Sequence, residues 1–167
     1  KEIENITAVL EKRGYEAHLV GGCVRDFLLG RAPQDWDIAT NALPEQIQEL
    51  FPESVYENEF GTVGVKTEAK DPALKVVEVT TYRTEGAYAD KRHPDRVRFA
   101  KHIADDLSRR DFTINAIALG GEVVDPFGGQ DDLQKKLVRA VGDPDERFTE
   151  DALRLMRAVR IASQLDF

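Results

Sequence analysis

The sequence predicts an α/β or α+β domain on three observations. Apolar residues at helical spacing alternate with short runs rich in β-branched residues, Gly and Pro punctuate the two kinds, and 167 residues suffice for one core with a short extension. Ile3, Ile6, Val9 and Leu10 share one face of an opening helix that Gly14 ends. A short strand over 17–20 runs into Gly21-Gly22. The next helix, 24–29, is stopped by Gly30, and Pro33 opens the connection to a second strand around 35–39. Pro44 falls in the first turn of a third helix, with Ile47, Leu50 and Phe51 on one face. Val63 and Val65 alternate as in a strand, and 76–82 is rich in β-branched residues. Between Arg83 and Phe99 the pattern is lost among charges, Gly86 and Pro94, which reads as a long mobile loop. Asp111 is placed to N-cap a helix from Phe112, 123–126 is a further short strand, and a last helix runs from about Glu150.

Composition narrows the function classes. The longest apolar stretches, such as 116–119, fall far short of the roughly 20 residues a membrane-crossing helix needs. No signal peptide is visible, so a cytoplasmic location is the expectation, and the single Cys23 excludes an internal disulfide or a multi-cysteine zinc site. The chain starts at Lys1 and stops at Phe167 inside a helical run, as a piece of a longer protein would. A net charge of −8 argues against a freestanding nucleic-acid binder, because phosphate contacts need Lys and Arg. Locally the balance reverses: 83–110 holds eight Lys and Arg against five Asp and Glu, and 147–160 holds four against two. Two basic stretches on an acidic body suit a triphosphate site better than a broad grip on RNA.

The first chemical constellation is Gly21-Gly22-Cys23-Val24-Arg25-Asp26, followed by Asp35-Trp36-Asp37. A glycine pair at a helix start lets backbone N–H groups approach a phosphate, and Arg25 adds a charge-assisted donor. In a strand, residues i and i+2 share a face, so Asp35 and Asp37 present two carboxylates side by side while Trp36 points to the core. Such a pair repels itself unless a cation lies between, and Mg²⁺ is the natural occupant, held by one or two carboxylates plus substrate phosphates. An Asp-x-Asp tripeptide alone is usually a solvated strand end; the upstream Gly-Gly-x-x-Arg gives this one its meaning.

Together with Phe27-Leu28-Leu29-Gly30-Arg31 and Ile38-Ala39-Thr40, these residues resemble the signature of the class II tRNA nucleotidyltransferases (CCA-adding enzymes) and the related bacterial poly(A) polymerases. The resemblance continues, in family order, through 78–83 (EVTTYR), 109–116 (RRDFTINA), 125–129 (DPFGG) and 147–154 (RFTEDALR). It implies a polymerase β-like nucleotidyltransferase head over 1–142, a small mixed sheet flanked by helices, and the start of a helical neck over 143–167.

The resemblance assigns the catalytic metals to Asp35 and Asp37 and nucleotide contacts to Gly22 and Arg25. The third carboxylate is Asp111 or Glu78, with Asp111 favoured; the plain alternatives are an N-cap and an ion pair. Arg110, of the Arg109-Arg110 pair, neutralises triphosphate, unless both arginines simply pair with Asp105 and Asp106. Asn115 bonds a ribose hydroxyl or is a surface or capping residue. Asp151, Arg154, Arg157 and Arg160, at steps of three, share a helix flank. An acceptor beside a forked donor reads a base edge carrying an amine next to a bare ring nitrogen, which cytosine and adenine offer and uracil and guanine do not. Asp151 and Arg154 would thus select CTP and ATP without a template, with Arg157 and Arg160 facing the triphosphate; otherwise the four form salt bridges on an exposed helix. His18, His93 and His102 show no metal-ligand spacing and read as surface or loop residues. The 83–99 loop resembles the family's flexible loop.

The expected activity is addition of C and A residues to the tRNA 3′ end from CTP and ATP, with Mg²⁺. A poly(A) polymerase, an A-only or CC-only enzyme, and a non-catalytic nucleotide-binding module are the rivals. The last would be expected to have lost one aspartate of the pair, and both are present.

Overall fold

The structure, a computed structural model, describes residues 1–56, 60–86 and 97–167. Helices α1 (Glu2–Lys12), α2 (Gly22–Leu28) and α3 (Pro44–Leu50) alternate with strands β1 (Ala17–Val20) and β2 (Asp37–Thr40). Strands β3 (Ser54–Tyr56), β4 (Thr62–Lys66), β5 (Val76–Thr81), β6 (Arg83–Glu85) and β7 (Val97–Phe99) follow, then α4 (Ile103–Ser108). A 3-10 turn (Thr113–Asn115), β8 (Ala118–Leu119), β9 (Val123–Val124) and helices α5 (Gly129–Gln134), α6 (Pro144–Glu150) and α7 (Leu153–Leu165) complete the chain.

Seven strands form one sheet in the order β3-β4-β5-β2-β1-β8-β9. Among the described residues only β2 and β5 run parallel in this sheet; its other neighbouring pairs are antiparallel, so the sheet is mixed as expected. Helices α1 and α3 cover one part through Ile6, Leu10 and Ile47 packed on Ile38, Val63 and Val79. A second cluster joins α2, the 3-10 turn, α5 and α7 through Val24, Phe112, Ile117, Leu133, Ile161 and Leu165. Trp36 packs against both clusters, in line with a core role.

Five expectations need correction. Asp35 lies in a bend before β2, because the strand begins only where Asp37 pairs with Val20 and Glu78. No α-helix starts at Phe112: Asp111 precedes a 3-10 turn capped by Phe112, and its Oδ1 accepts from the Phe112 N–H (2.8 Å) and from Asn115 Nδ2 (3.1 Å). The last helix is two helices. Asp151 takes an extended backbone (φ −136°, ψ 105°) and its Oδ1 accepts from the Leu153 N–H at 2.9 Å, closing α6 and opening α7. The ends of the 83–99 loop are an antiparallel pair, β6 with β7, while Ala87–Arg96, including His93, lie outside the described residues. His18 sits on β1, half-buried, its Nδ1 2.8 Å from the Tyr82 hydroxyl, which donates to Glu16 (3.1 Å); burial lowers its pKa against the nearby acidic charges. His102 is an exposed residue at the start of α4.

The Asp125-Pro126-Phe127-Gly128-Gly129 block is structural. The Asp125 carboxylate accepts from the N–H groups of Gly129 (2.7 Å) and Gln130 (2.9 Å), and Gly128 supplies a left-handed turn (φ 72°). A Cβ at Gly129 would lie 2.2 Å from the Thr113 carbonyl oxygen and 2.7 Å from Ile117 Cγ1. Gly129→Ala must therefore displace α5 from the turn that carries Asn115. A loss of about 2–4 kcal/mol in urea unfolding is expected, and a wild-type midpoint would contradict this packing.

Candidate active site

Gly21 caps α2 at φ 74°, a conformation that only glycine adopts without strain. The room it leaves is taken by two of the candidate side chains: a Cβ there would lie 3.1 Å from Arg110 Nη1 and 3.3 Å from Asp37 Oδ2. At Gly22 the corresponding position lies 3.6 Å from Arg25 and 3.9 Å from Asp35 Oδ1. The glycine pair therefore sits against Asp35, Asp37, Arg25 and Arg110, all singled out from the sequence.

Asp37 is half-buried and Asp35 exposed. Burial, then the charges of Glu78 and Asp35, push the Asp37 carboxyl up to about 6, offset only in part by Arg110. Glu78 is there because parallel pairing of β2 and β5 sets it directly beside Asp37, and directly paired residues share a face. An acceptor-only, under-compensated set of hard oxygens is the chemistry that a divalent cation satisfies. Among the described residues no three or more His, Cys, Asp or Glu are gathered to hold a metal by themselves. Substrate phosphates would have to supply the remaining ligands.

Asp111 lines one cavity with Asp37 and is paired with an arginine. Its Oδ2 accepts from Arg157 Nε and Nη2, both at 2.7 Å. Asn115, read as a ribose contact or else as a surface or capping residue, is buried: it donates to Asp111 and its Oδ1 accepts from Arg25 Nη1 at 2.9 Å. Arg25 also pairs with Asp26. A polar chain thus runs Arg25–Asn115–Asp111–Arg157, from the glycine loop to α7.

Arg109 and Arg110 both turn to Asp106, at 2.8 and 3.0 Å. Asp106 is fully buried and also accepts from the Arg83 N–H. Burial raises its carboxyl, but the two arginine charges and their hydrogen bonds outweigh that and hold it below the usual carboxylate range. Sequence reasoning weighed Asp106 only as one of two ion-pair partners; its spacing of three and four residues from the arginines was the available signal. Arg109 continues to Glu85 (2.9 Å), which pairs with Arg83.

The base-reading candidates are close together but not on one helix flank. Arg154 is buried, and its Nη1 donates to Glu150 (2.9 Å) and to the Arg147 carbonyl (3.3 Å), with Nε 4.0 Å from Asp151 Oδ2. Arg154 thus forms the salt bridges of the plain reading, but from a buried and not an exposed position. Two cavities meet at Asp37. One, of about 470 Å³, lies between Arg110, Asp111 and Phe60 on the head and Asp151 and Arg154. The other, of about 620 Å³, is walled by Arg25, Asp35, Arg157 and Arg160. Both are of ligand size, and Gly22, Asp37, Asn115 and Arg157 line both.

Residues 17–139 match the poly A polymerase head domain, and the chain belongs to that family. Within it the similarity is to CCA-adding enzymes. The chain is 52% identical over 161 residues to the CCA-adding enzyme of Geobacillus kaustophilus and 53% identical to that of Limosilactobacillus reuteri, covering 95% of this chain and 39% of each relative. The crystal structure of the Bacillus stearothermophilus CCA-adding enzyme in complex with CTP superposes with a TM-score of 0.87 at 44% identity, over 99% of this chain and 39% of that one. The Thermotoga maritima CCA-adding enzyme complexed with tRNA superposes at 0.74 and 26% identity, over 99% of this chain and 37% of that one. The chain thus spans about two fifths of the length of these relatives. A general dependence on a divalent metal goes with the family.

Proposed function

We propose that this chain is the catalytic head of a template-independent tRNA nucleotidyltransferase that adds C and A residues to the tRNA 3′ end from CTP and ATP. Residues 143–167 would begin its helical neck. The observation that supports this reading is the meeting of the two cavities at Asp37, one lined by Asp151 and Arg154 and the other by Asp35, Arg25 and Arg160. The complexes of the relatives with CTP and with tRNA agree with it.

In the reaction the terminal 3′-hydroxyl oxygen forms a bond to the α-phosphorus, and the bond from that phosphorus to the departing pyrophosphate breaks. Asp35 and Asp37 would hold Mg²⁺, with Glu78 as the third carboxylate beside Asp37. When bound, Mg²⁺ lowers the pKa of the hydroxyl and stabilises charge on the leaving oxygens. Arg25, Arg110 and Arg160 neutralise the phosphates, and Gly22 admits them to the backbone of α2. Asp151 accepts from the exocyclic amine of C or A and Arg154 donates to the ring nitrogen. Asp111 and Asn115 act as ties that hold Arg157 and Arg25, and a ribose contact by Asn115 is compatible with its place in both cavities.

Calorimetric titration of ATP, CTP, GTP and UTP with Mg²⁺ tests the reading. ATP and CTP alone are expected to bind, and Asp151→Ala should lower their affinity about tenfold or more, the loss of one charge-assisted bond. Binding of ATP alone would move the assignment to a poly(A) polymerase or A-only enzyme. Equal binding of all four would sink the base-reading role.

A further inference from the structure

Helix α7 carries the base-reading end of the site, yet apolar packing holds only its far half. Ile161 and Leu165 are 3% and 4% exposed in the head core, whereas Leu155, Met156 and Val159 are 51–68% exposed. The last carbonyls of a helix have no partners within it and form the negative end of its dipole. In α7 two of them are taken by the head: Arg31 Nη1 donates to the Gln164 carbonyl at 2.9 Å and Nη2 to the Leu165 carbonyl at 3.3 Å.

The chain aims Arg31 there by construction. Gly30 ends α2 in the left-handed conformation (φ 69°), with the Gly30 N–H bonded to the Phe27 carbonyl and the Arg31 N–H to that of Asp26. That is a Schellman turn, with Arg31 as the first residue past the glycine. Near its middle α7 is tied a second time, through Arg157 to Asp111.

We propose that Arg31 is a specificity-determining positioning residue: by holding the C-terminal carbonyls of α7 it sets the angle at which Asp151 and Arg154 meet the base. The inference rests on the base-reading role given to those two residues. Arg154 lies ten residues from Gln164, about 15 Å along the helix, so a tilt of about 5° at the held end moves it by about 1 Å. Misplacement on that scale is enough to cost an oriented hydrogen bond. Arg31 also lines the cationic cavity, but both of its terminal nitrogens are committed to α7, which separates it from Arg25 and Arg160 as a phosphate ligand.

The test is calorimetry on this chain, wild type, Arg31→Ala and Arg31→Lys, with the four nucleoside triphosphates and with tripolyphosphate, all with Mg²⁺. In Arg31→Ala the affinity for ATP and CTP should fall about five- to tenfold, with tripolyphosphate unchanged and GTP and UTP still not bound. Arg31→Lys should restore part of the loss, since an ammonium reaches the same carbonyls. Arg31 is exposed, so the melting temperature should fall by no more than about 2–4 °C. An equal loss for ATP, CTP and tripolyphosphate makes Arg31 a phosphate ligand and overturns the proposal, as does no change at all. Wild-type chain that binds all four bases equally overturns the base-reading role, and this inference with it.

Discussion

Replacing Asp37 by Asn should abolish nucleotide transfer while making the metal-free protein more stable at pH 7.5. The Asp37 carboxyl titrates at about 6 in the folded chain, above its ordinary 3.8, because of burial and then the charges of Glu78 and Asp35. A folded-state pKa above the unfolded one means that the native state holds the extra proton between those values. Stability therefore falls as pH rises through that window, the reverse of a salt-bridged aspartate. A shift of this size corresponds to about 2–3 kcal/mol as an upper limit. Asn cannot ionise, so the variant should gain about 1–2 kcal/mol at pH 7.5 and nothing below pH 4.

With CTP present to complete its ligands, Mg²⁺ should stabilise the wild type at pH 7.5 more than the variant. Transfer should fall about 10³-fold or more, the several kcal/mol of charge stabilisation that a metal contributes. Thermal unfolding against pH, with and without Mg²⁺ and CTP, checks the first part and single-turnover extension of a tRNA primer by the whole enzyme the second. A variant less stable than wild type at pH 7.5 would falsify the electrostatic account.

The second large effect is expected at Asp106. Its carboxylate has no exposed surface and holds Arg109, Arg110 and the Arg83 N–H together. Asp106→Ala takes the ion-pair partner of Arg110 away and leaves Arg109 with Glu85, and breaking a buried pair in this way costs about 3–5 kcal/mol. Asp105→Ala, one residue away and not fully buried, should change stability by no more than about 0.5 kcal/mol. Because the Asp106 carboxyl is held below its ordinary value, its contribution is complete above about pH 4 and is lost as pH falls through the folded value. The wild type and the variant should therefore converge in stability in strong acid. Denaturant unfolding at pH 7 and at pH 2.5 measures both. Equal stability of the two proteins at pH 7 would mean that Asp106 only balances its own desolvation.

The arginines show how the two effects meet. Arg110 lies between Asp106 and Asp37: one carboxylate holds it, and its charge lowers the other. Without Asp106 it is free to close onto Asp37 and compete with the metal, so loss of Asp106 acts on the site as well as on the fold.

Local chemistry made much of this legible. The helical spacing of Ile3, Ile6 and Leu10, the alternation of Val63 and Val65, and the stops at Gly14 and Gly30 each act within a few residues, so elements α1, α2, α3, β1, β4 and β5 could be read from them. Short elements without a clear period, α4, α5, β3 and β8, could not. Asp35 and Asp37 are two residues apart and Asp151 and Arg154 three, so each pair was visible as a pair. The break between α6 and α7 was not, because the apolar and charged spacing runs on through Asp151 while its own carboxylate caps the next helix.

What the sequence by itself determined, then, is the set of reactive groups and their grouping into neighbours along the chain. The tertiary structure alone decided which groups meet across it. Parallel pairing of β2 with β5 puts Glu78 beside Asp37, Arg25 reaches Asn115 across 90 residues, and Asp111 spends itself on Arg157 across 46. Strand register and helix docking are set by the sum of many weak apolar contacts between distant segments. No local period records that sum, so the choice between Asp111 and Glu78 beside the paired aspartates could be argued only once the sheet had been assembled.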